Sequence, residues 1–347
     1  MSSGMPVVDL TSWRTGGPAA RGQVARDVST ACATLGFFQV IGHGVAPDAV
    51  AGMTAAADRV FGLAAADKRR LSCPPEVRRG FSPVGTAAAA GELAPGGPSD
   101  RFEAFELGPE VVDETDPAVM AVRDSLLAPN VWPSAPSWLR QVLVEYFDAV
   151  AALARTITRV FAAALDLPEE FFLERCQHPT ERLRLIRYAD DPAAVPPVAS
   201  HPGMSPHTDD GILTVLHADQ VPGFELVGPD GRWWPVMPVD GAFVVNIGDL
   251  LAEWTNDRWR STVHRVVAPT PQAGGSSARR SAAFFFEGDH DCLVECLPTC
   301  TSATEPPRYA PFLVGDRRRR GAGAPAAVVG PTIGDTVSAR IGVVASG

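Results

Sequence analysis

Short apolar runs bounded by glycine open the chain: "MPVVDL", then "GFFQVIGHGV" over residues 36–45, with the helix-like "ARGQVARDVSTACATL" between them. That pattern predicts strand, helix, strand. Pro47 and Asp48 supply a helix start, and Val50, Met53, Val60 and Phe61 recur at helical spacing, so residues 46–70 read as a second helix. From Ser72 to Pro98 the density of Pro, Gly and Ala marks an irregular loop, of a length used for lids. The strongest helical periodicity runs from Ser137 to Ala164, and "PEEFFLERC" predicts a short helix after it. Past Arg182 the texture changes. "LRLIRY", "GILTVLHA", "FELVG", "WWPVMPV", "AFVVNIG", "RSTVHRVVA", "RSAAFFFEG" and "CLVECLP" follow one another, separated by Pro, Gly and Asp. About eight short strands at such spacing argue a β-sandwich or small barrel.

The division expected is an N-terminal α/β region over 1–135 packing on the core, a long helix region over 136–181, a strand-rich core over 182–312 and a tail or partial lid over 313–347, together a mixed α/β (α+β) protein. With 347 residues, 46% of them hydrophobic, such a chain can bury a large core. No apolar run reaches the length of a membrane span, and residues 1–10 lack the basic start and apolar stretch of a secretory signal; the expectation is a soluble cytoplasmic monomer with no membrane partner. A net charge of −10 would repel a phosphate backbone, and the basic run Arg317–Arg320 is short and lacks interleaved aromatics, so no nucleic-acid partner is expected. Six thinly spread cysteines read as reduced thiols in that compartment. Cys292, Cys296 and Cys300, four apart and so about 13 Å apart if extended, do not suggest a metal cluster.

The chemistry concentrates in "SPHTDDGILTVLHAD", residues 205–219. If this stretch is extended, His207 and Asp209 share a face while Thr208 and Asp210 lie on the other, which selects Asp209. An imidazole and a short carboxylate on one face, joined by a second histidine from a neighbouring strand, form the three-ligand facial set that holds non-haem Fe(II) and leaves coordination positions open. His217 lies about 33 Å along an extended chain from His207. His43 sits in a Gly-flanked turn, His178 before a proline in a helical region, and His290 in the polar turn "EGDHD". His264, within "RSTVHRVVA", is the remaining core-strand histidine. Alone, a His-x-Asp pair is commonplace, and strand histidines are more often hydrogen-bonded core residues than ligands. Beyond His264, however, lies "RRSAAFFFEG". In it Arg279, Ser281, Ala283 and Phe285 share one strand face, and Arg280, Ala282, Phe284 and Phe286 the other. An arginine with a hydroxyl two residues on can hold a carboxylate through bidentate, charge-assisted bonds; a solvated strand edge is the plain alternative.

These motifs resemble the isopenicillin-N-synthase-like branch of the Fe(II)/2-oxoglutarate-dependent dioxygenases. "SPHTDDGILTVLHAD", "VVNIGDLLAEWTNDRWRSTVHRVVAP" and the Arg-x-Ser pair carry the resemblance, and "PVVDL", "GFFQVIGHGV", "RRGFSPVG", "NVWP", "LRLIRY" and "CLPTCTSATEPPRYAP" extend it over about Pro6 to Pro311. It implies a double-stranded β-helix (jelly roll, cupin-like) core with flanking N-terminal helices. It also implies His207, Asp209 and His264 as iron ligands, Arg279 and Ser281 on the distal carboxylate of 2-oxoglutarate, and Tyr188 in contact with that cosubstrate. Where the family pattern has proline after this tyrosine the chain has Ala189, and "TPQAGGSSA" looks like an insertion before Arg279, which leaves Arg280 as a second candidate binder.

The activity implied consumes O2 and 2-oxoglutarate, releases succinate and CO2, and by default hydroxylates a small molecule, by analogy a secondary metabolite such as an antibiotic precursor. Phe285, on the face of Arg279 and Ser281, is a candidate pocket wall, and Arg101, Phe102 and His201 lie in loops that could reach the cavity mouth. Two alternatives stay open from sequence: a same-fold oxidase or cyclase that does not use 2-oxoglutarate, and a non-catalytic cupin-like binding protein.

Overall fold

The computed structural model describes residues 4–74, 77–86, 100–110, 112–178, 180–188, 202–267 and 278–320. Its helices are α1 (Thr11–Thr15), α2 (Pro18–Thr34), α3 (Pro47–Phe61), α4 (Ala65–Arg70), α5 (Pro117–Ala121), α6 (Trp138–Ala164), α7 (Asp249–Trp254) and α8 (Val314–Arg320). The strands are β1 (Val7–Asp9), β2 (Phe37–Ile41), β3 (Gly80–Ser82), β4 (Glu103–Leu107), β5 (Arg182–Tyr188), β6 (Pro202–His207), β7 (Leu213–Ala218), β8 (Phe224–Val227), β9 (Trp233–Pro235), β10 (Phe243–Ile247), β11 (His264–Val267), β12 (Arg279–Phe286), β13 (Leu293–Val294) and β14 (Phe312–Leu313). Eight strands form a major sheet in the order β1-β2-β10-β7-β12-β5-β4-β3, and four form a minor sheet in the order β6-β11-β8-β9. Apart from the parallel β1–β2 pair, the ladders of these two sheets are antiparallel.

Strand alternation splits the interior in two. On β5, Leu183 and Leu185 join Ala282, Phe284 and Phe286 of β12 in a cluster with Leu143, Phe147, Val150 and Phe161 of α6, so the apolar stripe of the long helix covers one face of the major sheet. Each such side chain contributes roughly 1.5–3 kcal/mol on burial. The other face looks across to the minor sheet: Ile186, Tyr188 and Val244 pack with Met204, Phe224, Leu226 and Val266. This is the two-sheet layout expected of a double-stranded β-helix, with the cavity between the sheets.

Several expected elements differ. The helix over 46–70 is broken at Gly62 into α3 and α4. "PEEFFLERC" forms turns and a single 3-10 turn, Leu173–Arg175, since so short a segment makes too few helical hydrogen bonds to offset nucleation. β3 lies inside the segment expected to be loop, and β4 carries no apolar alternation, since Glu103 and Glu106 are buried beside arginines. β1 to β4, all before residue 135, belong to the same major sheet as β5 and β12. No described helix is long and apolar enough to cross a membrane.

Two glycines make close approaches possible. At Gly36 (φ +72°) a Cβ would collide with the Arg260 carbonyl, and Thr262 donates to the Leu35 carbonyl at 2.7 Å, which ties the start of β2 to the approach to His264. At Gly248 a Cβ would collide with the Gly211 carbonyl. This contact seats the loop after β6 on the start of α7, where the Asp249 and Leu250 amides donate to the Asp209 and Asp210 carbonyls at 2.7 and 3.2 Å.

Candidate active site

His207 ends β6 and His264 begins β11, and the two are register partners across that antiparallel pair. Pairing alone therefore sets the imidazoles side by side, with ring centroids 4.2 Å apart. Each ring is oriented by a local carbonyl: His207 Nδ1 lies 2.8 Å from Ser205 O and His264 Nδ1 3.1 Å from Thr262 O. A carbonyl can only accept, so Nδ1 carries the proton and both Nε2 lone pairs are available. Burial, reinforced by the neighbouring His264, holds His207 well below the usual imidazole value, which keeps it neutral.

Asp209 is not on the strand that the alternation argument requires. β6 ends at His207 and β7 starts at Leu213, so the acid sits in the intervening loop. The carboxylate that alternation selects is the one that lies beside the two histidines, but not for that reason. What aims it is tertiary: Asp209 Oδ2 accepts from Asn246 Nδ2 at 2.7 Å and Thr214 Oγ1 at 2.5 Å, leaving Oδ1 3.8 and 3.9 Å from Nε2 of His207 and His264. Burial alone would raise its carboxyl, but the two histidines and these two donors outweigh it and lower it. Ligands about 2.1 Å from one ion lie no more than about 4.2 Å apart, so both separations suit a single metal. Asp210, by contrast, points away to Arg317 of α8. Asn246 and Thr214 escape sequence reasoning, although a polar residue in each apolar strand, "FVVNI" and "LTVLHA", is the signal that could have found them.

Along the same cavity β12 presents Arg279, Ser281, Ala283 and Phe285, opposite Met204, Phe224 and Val266 of the minor sheet. Arg279 is 1% exposed. Its Nη1 reaches Ser281 Oγ at 3.4 Å and its Nε has no partner, while the guanidinium lies 5.2 Å from the Tyr188 ring centre. Among the described residues no carboxylate pairs with it. A buried guanidinium without a counter-charge is costly, and it fits an anionic group arriving from outside the chain. Arg280 turns the other way and pairs with Asp58 of α3. Phe285 lines the cavity; Phe102 is fully buried against Tyr188 at 5.7 Å between ring centres and is not part of the cavity lining. The Arg101 amide donates to the Gly203 carbonyl. His201 and Ala189 lie outside the described residues. A larger surface groove beside Trp13, Arg21 and Glu169 contains none of these groups.

The profile of the 2OG-Fe(II) oxygenase superfamily matches residues 180–288, and that of the non-haem dioxygenase N-terminal region (in morphine synthesis) matches 5–135. The chain is 30% identical over 319 residues to the 2-oxoglutarate-Fe(II) type oxidoreductase hxnY of Emericella nidulans, covering 90% of this chain and 88% of that protein. It belongs to the 2-oxoglutarate–Fe(II) oxygenases. The validamycin A dioxygenase of Streptomyces hygroscopicus subsp. limoneus is also 30% identical to this oxygenase, over 83% of the chain and 78% of the relative. Among solved structures, a full-length Neurospora crassa protein in complex with alpha-KG and thymine superposes with a TM-score of 0.78 at 25% identity, covering 90% of this chain and 94% of that one. The oxygenase thus has a jelly-roll core and uses Fe(II), 2-oxoglutarate and O2. This sets aside the cosubstrate-free oxidase and the non-catalytic binding protein.

Proposed function

We propose that His207, Asp209 and His264 hold the iron, that Arg279 with Ser281 binds the distal carboxylate of 2-oxoglutarate, and that the oxygenase hydroxylates a small molecule of secondary metabolism. The observation that carries this reading is the convergence of the three buried donor groups, all within 4.8 Å of one another, in a cavity shared with an unpaired buried guanidinium. When bound, iron and 2-oxoglutarate supply oxidative decarboxylation coupled to oxidation of a C–H bond. The chain's contribution is placement. Asn246 and Thr214 fix the carboxylate, the Ser205 and Thr262 carbonyls fix the imidazole tautomers, and Arg279 orients the diacid. Tyr188 lies beside that guanidinium as a wall of the cosubstrate site, and Phe285 with Leu216 and Val266 adds apolar walls to the cavity, which strengthen the charged contacts beside them. The catalytic side chains fall within 182–312, whose major sheet is extended by β1 to β4 of 1–135 and covered by the long helix of 136–181. The validamycin relative supports a secondary-metabolite substrate. We place the enzyme in the cytoplasm as a monomer without nucleic-acid or membrane partners, in keeping with its net charge of −10.

The test is His264→Ala. Metal analysis after anaerobic Fe(II) addition and desalting should show iron retention lost with the circular dichroism spectrum intact, and succinate formation should cease. Unchanged iron stoichiometry would falsify the ligand assignment.

A further inference from the structure

The wall of the cavity formed by β5 holds more positive charge than the mechanism uses. Arg182 and Arg184 alternate with Leu183 and Leu185, so both turn inward and line the cavity together with the iron-ligand candidates and Phe285. Both are buried, at 5% and 7% exposure. They share one carboxylate, and indeed one oxygen of it: Glu106 Oε1 accepts from Arg182 Nη1 at 2.5 Å and from Arg184 Nε at 2.7 Å. Each guanidinium has five N–H groups; no other hydrogen bond of either is found among the described residues. Arg182 also lies over the Phe285 ring, 4.3 Å from its centre, which restrains its position.

A third arginine adds to the imbalance. Arg78 makes no side-chain hydrogen bond or ion pair among the described residues, and its backbone is in the left-handed region (φ 49°), an uncommon conformation for a bulky side chain. Repulsion from Arg182, then burial, lowers its guanidinium to about 10. Glu106 responds oppositely: burial would raise it, but Arg184 and Arg182 hold it at about 2. Asp210 also attracts Arg78 but is already engaged by Arg317. Neighbouring Arg79 has turned its own donors to the carbonyls of Ala128, Leu126 and Arg78 and gives no counter-charge. Arg182 and Arg184 therefore share the one carboxylate of Glu106 in the buried cavity wall, with Arg78 repelled by Arg182 beside them. Folding alone does not favour this, since unpaired buried charge destabilises, and arginine forks match planar or tetrahedral oxyanions bidentately.

We propose that the substrate carries an oxyanion, a carboxylate or a phosphate, which Arg182 and Arg184 hold on the β5 wall, leaving the carbon to be oxidised toward His207, Asp209 and His264. This rests on the reading of the cavity as the substrate site and adds a substrate class to it. The cluster is separate from the cosubstrate anchor: Arg182 and Arg184 oppose Phe285 and Ala283 in the ladder whereas Tyr188 opposes Arg279, separations of six and four residues or about 20 and 13 Å along the strand. The sequence signal is the alternation in "RLRLIRY", where charge occupies the face that a solvent-exposed strand would turn to water.

The experiment is calorimetric titration of the anaerobic Fe(II)–2-oxoglutarate protein with phenylacetate, phenyl phosphate and phenylacetamide. At least one anion should bind about tenfold or more tighter than the amide, and which anion prevails identifies the oxyanion. Arg182→Gln and Arg184→Gln should each weaken that anion by roughly tenfold or more, as loss of a charge-assisted bond requires, while 2-oxoglutarate affinity stays within about threefold. Equal or tighter binding of the amide, no binding of any of the three probes, or wild-type anion affinity in both variants would overturn the proposal. Melting of probe-free Arg184→Gln separates a structural role: Glu106 keeps Arg182 as its partner, so the variant should melt close to the wild-type temperature, and a marked drop overturns the assignment of Arg184. Loss of 2-oxoglutarate binding in the wild type would instead sink the reading of the active site, and it is measured separately.

Discussion

Replacing Arg279 by methionine keeps much of the side chain's length and removes its charge. In the folded protein that charge is 1% exposed and without a counter-ion among the described residues, so 2-oxoglutarate would complete the pair. Two charge-assisted hydrogen bonds at about 1.5–3 kcal/mol each, set against the 2–5 kcal/mol typical of truncating one partner of a buried pair, give a loss of about 3–5 kcal/mol. That is roughly two to three and a half orders of magnitude in the Kd for 2-oxoglutarate. The same substitution relieves an uncompensated buried charge, so ligand-free Arg279→Met should melt at or above the wild-type temperature. Calorimetry of 2-oxoglutarate into the anaerobic Fe(II) protein reads the first effect. Thermal melts with and without cosubstrate read the second, since ligand at 100 times Kd stabilises by about 2.7 kcal/mol and the variant should forfeit that gain. Arg280→Met is the control: its pair with Asp58 is about half-exposed and contributes roughly 0–1 kcal/mol. Retained affinity in Arg279→Met together with loss in Arg280→Met would refute the reasoning.

Asn246→Ala removes one of the two donors that hold Asp209 Oδ2, and iron affinity should fall about 10- to 100-fold; a metal-competition titration checks it, with unchanged affinity counting against the positioning role. Arg317→Gln leaves Asp210, Asp249 and Glu253, all now within 3.4 Å of its guanidinium, without their shared cation, and urea unfolding should show a loss of about 3–5 kcal/mol; a loss below about 1 kcal/mol, the range of an exposed pair, contradicts the clamp. Stability should also fall on either side of about pH 4.5. Glu106, held at about 2 by Arg184 and Arg182 against burial, gives stability that is present above the ordinary carboxyl value and lost as pH drops toward 2. Glu181, raised by burial to about 7 despite Arg155, binds its proton more tightly when folded, so stability is full below about pH 4.5 and declines as pH rises through 7, by up to about 3 kcal/mol. Glu181→Gln should flatten that decline in melts at about pH 4 and 8, either side of the transition, and an unchanged slope would reject that cause.

Local pattern determined much of this protein. The period of α6, the strands around Val215, Val245 and Phe284, and the inward face of Arg279, Ser281 and Phe285 follow from alternation and helical spacing, because each element's buried side must repeat with its own geometry. The three candidate ligands were legible for a different reason: few residue types bind iron, and few histidines lay in core strands. Tertiary structure decided the rest. Asp209 is aimed by Asn246 and Thr214 rather than by strand parity, and β4 exists because Glu103 and Glu106 meet arginines far along the chain. The charge imbalance at Arg182 and Arg184 appears only once β4 and β5 lie side by side. Hydrogen bonds and charge pairs act between atoms that are distant in sequence, and their balance has no local periodicity to read.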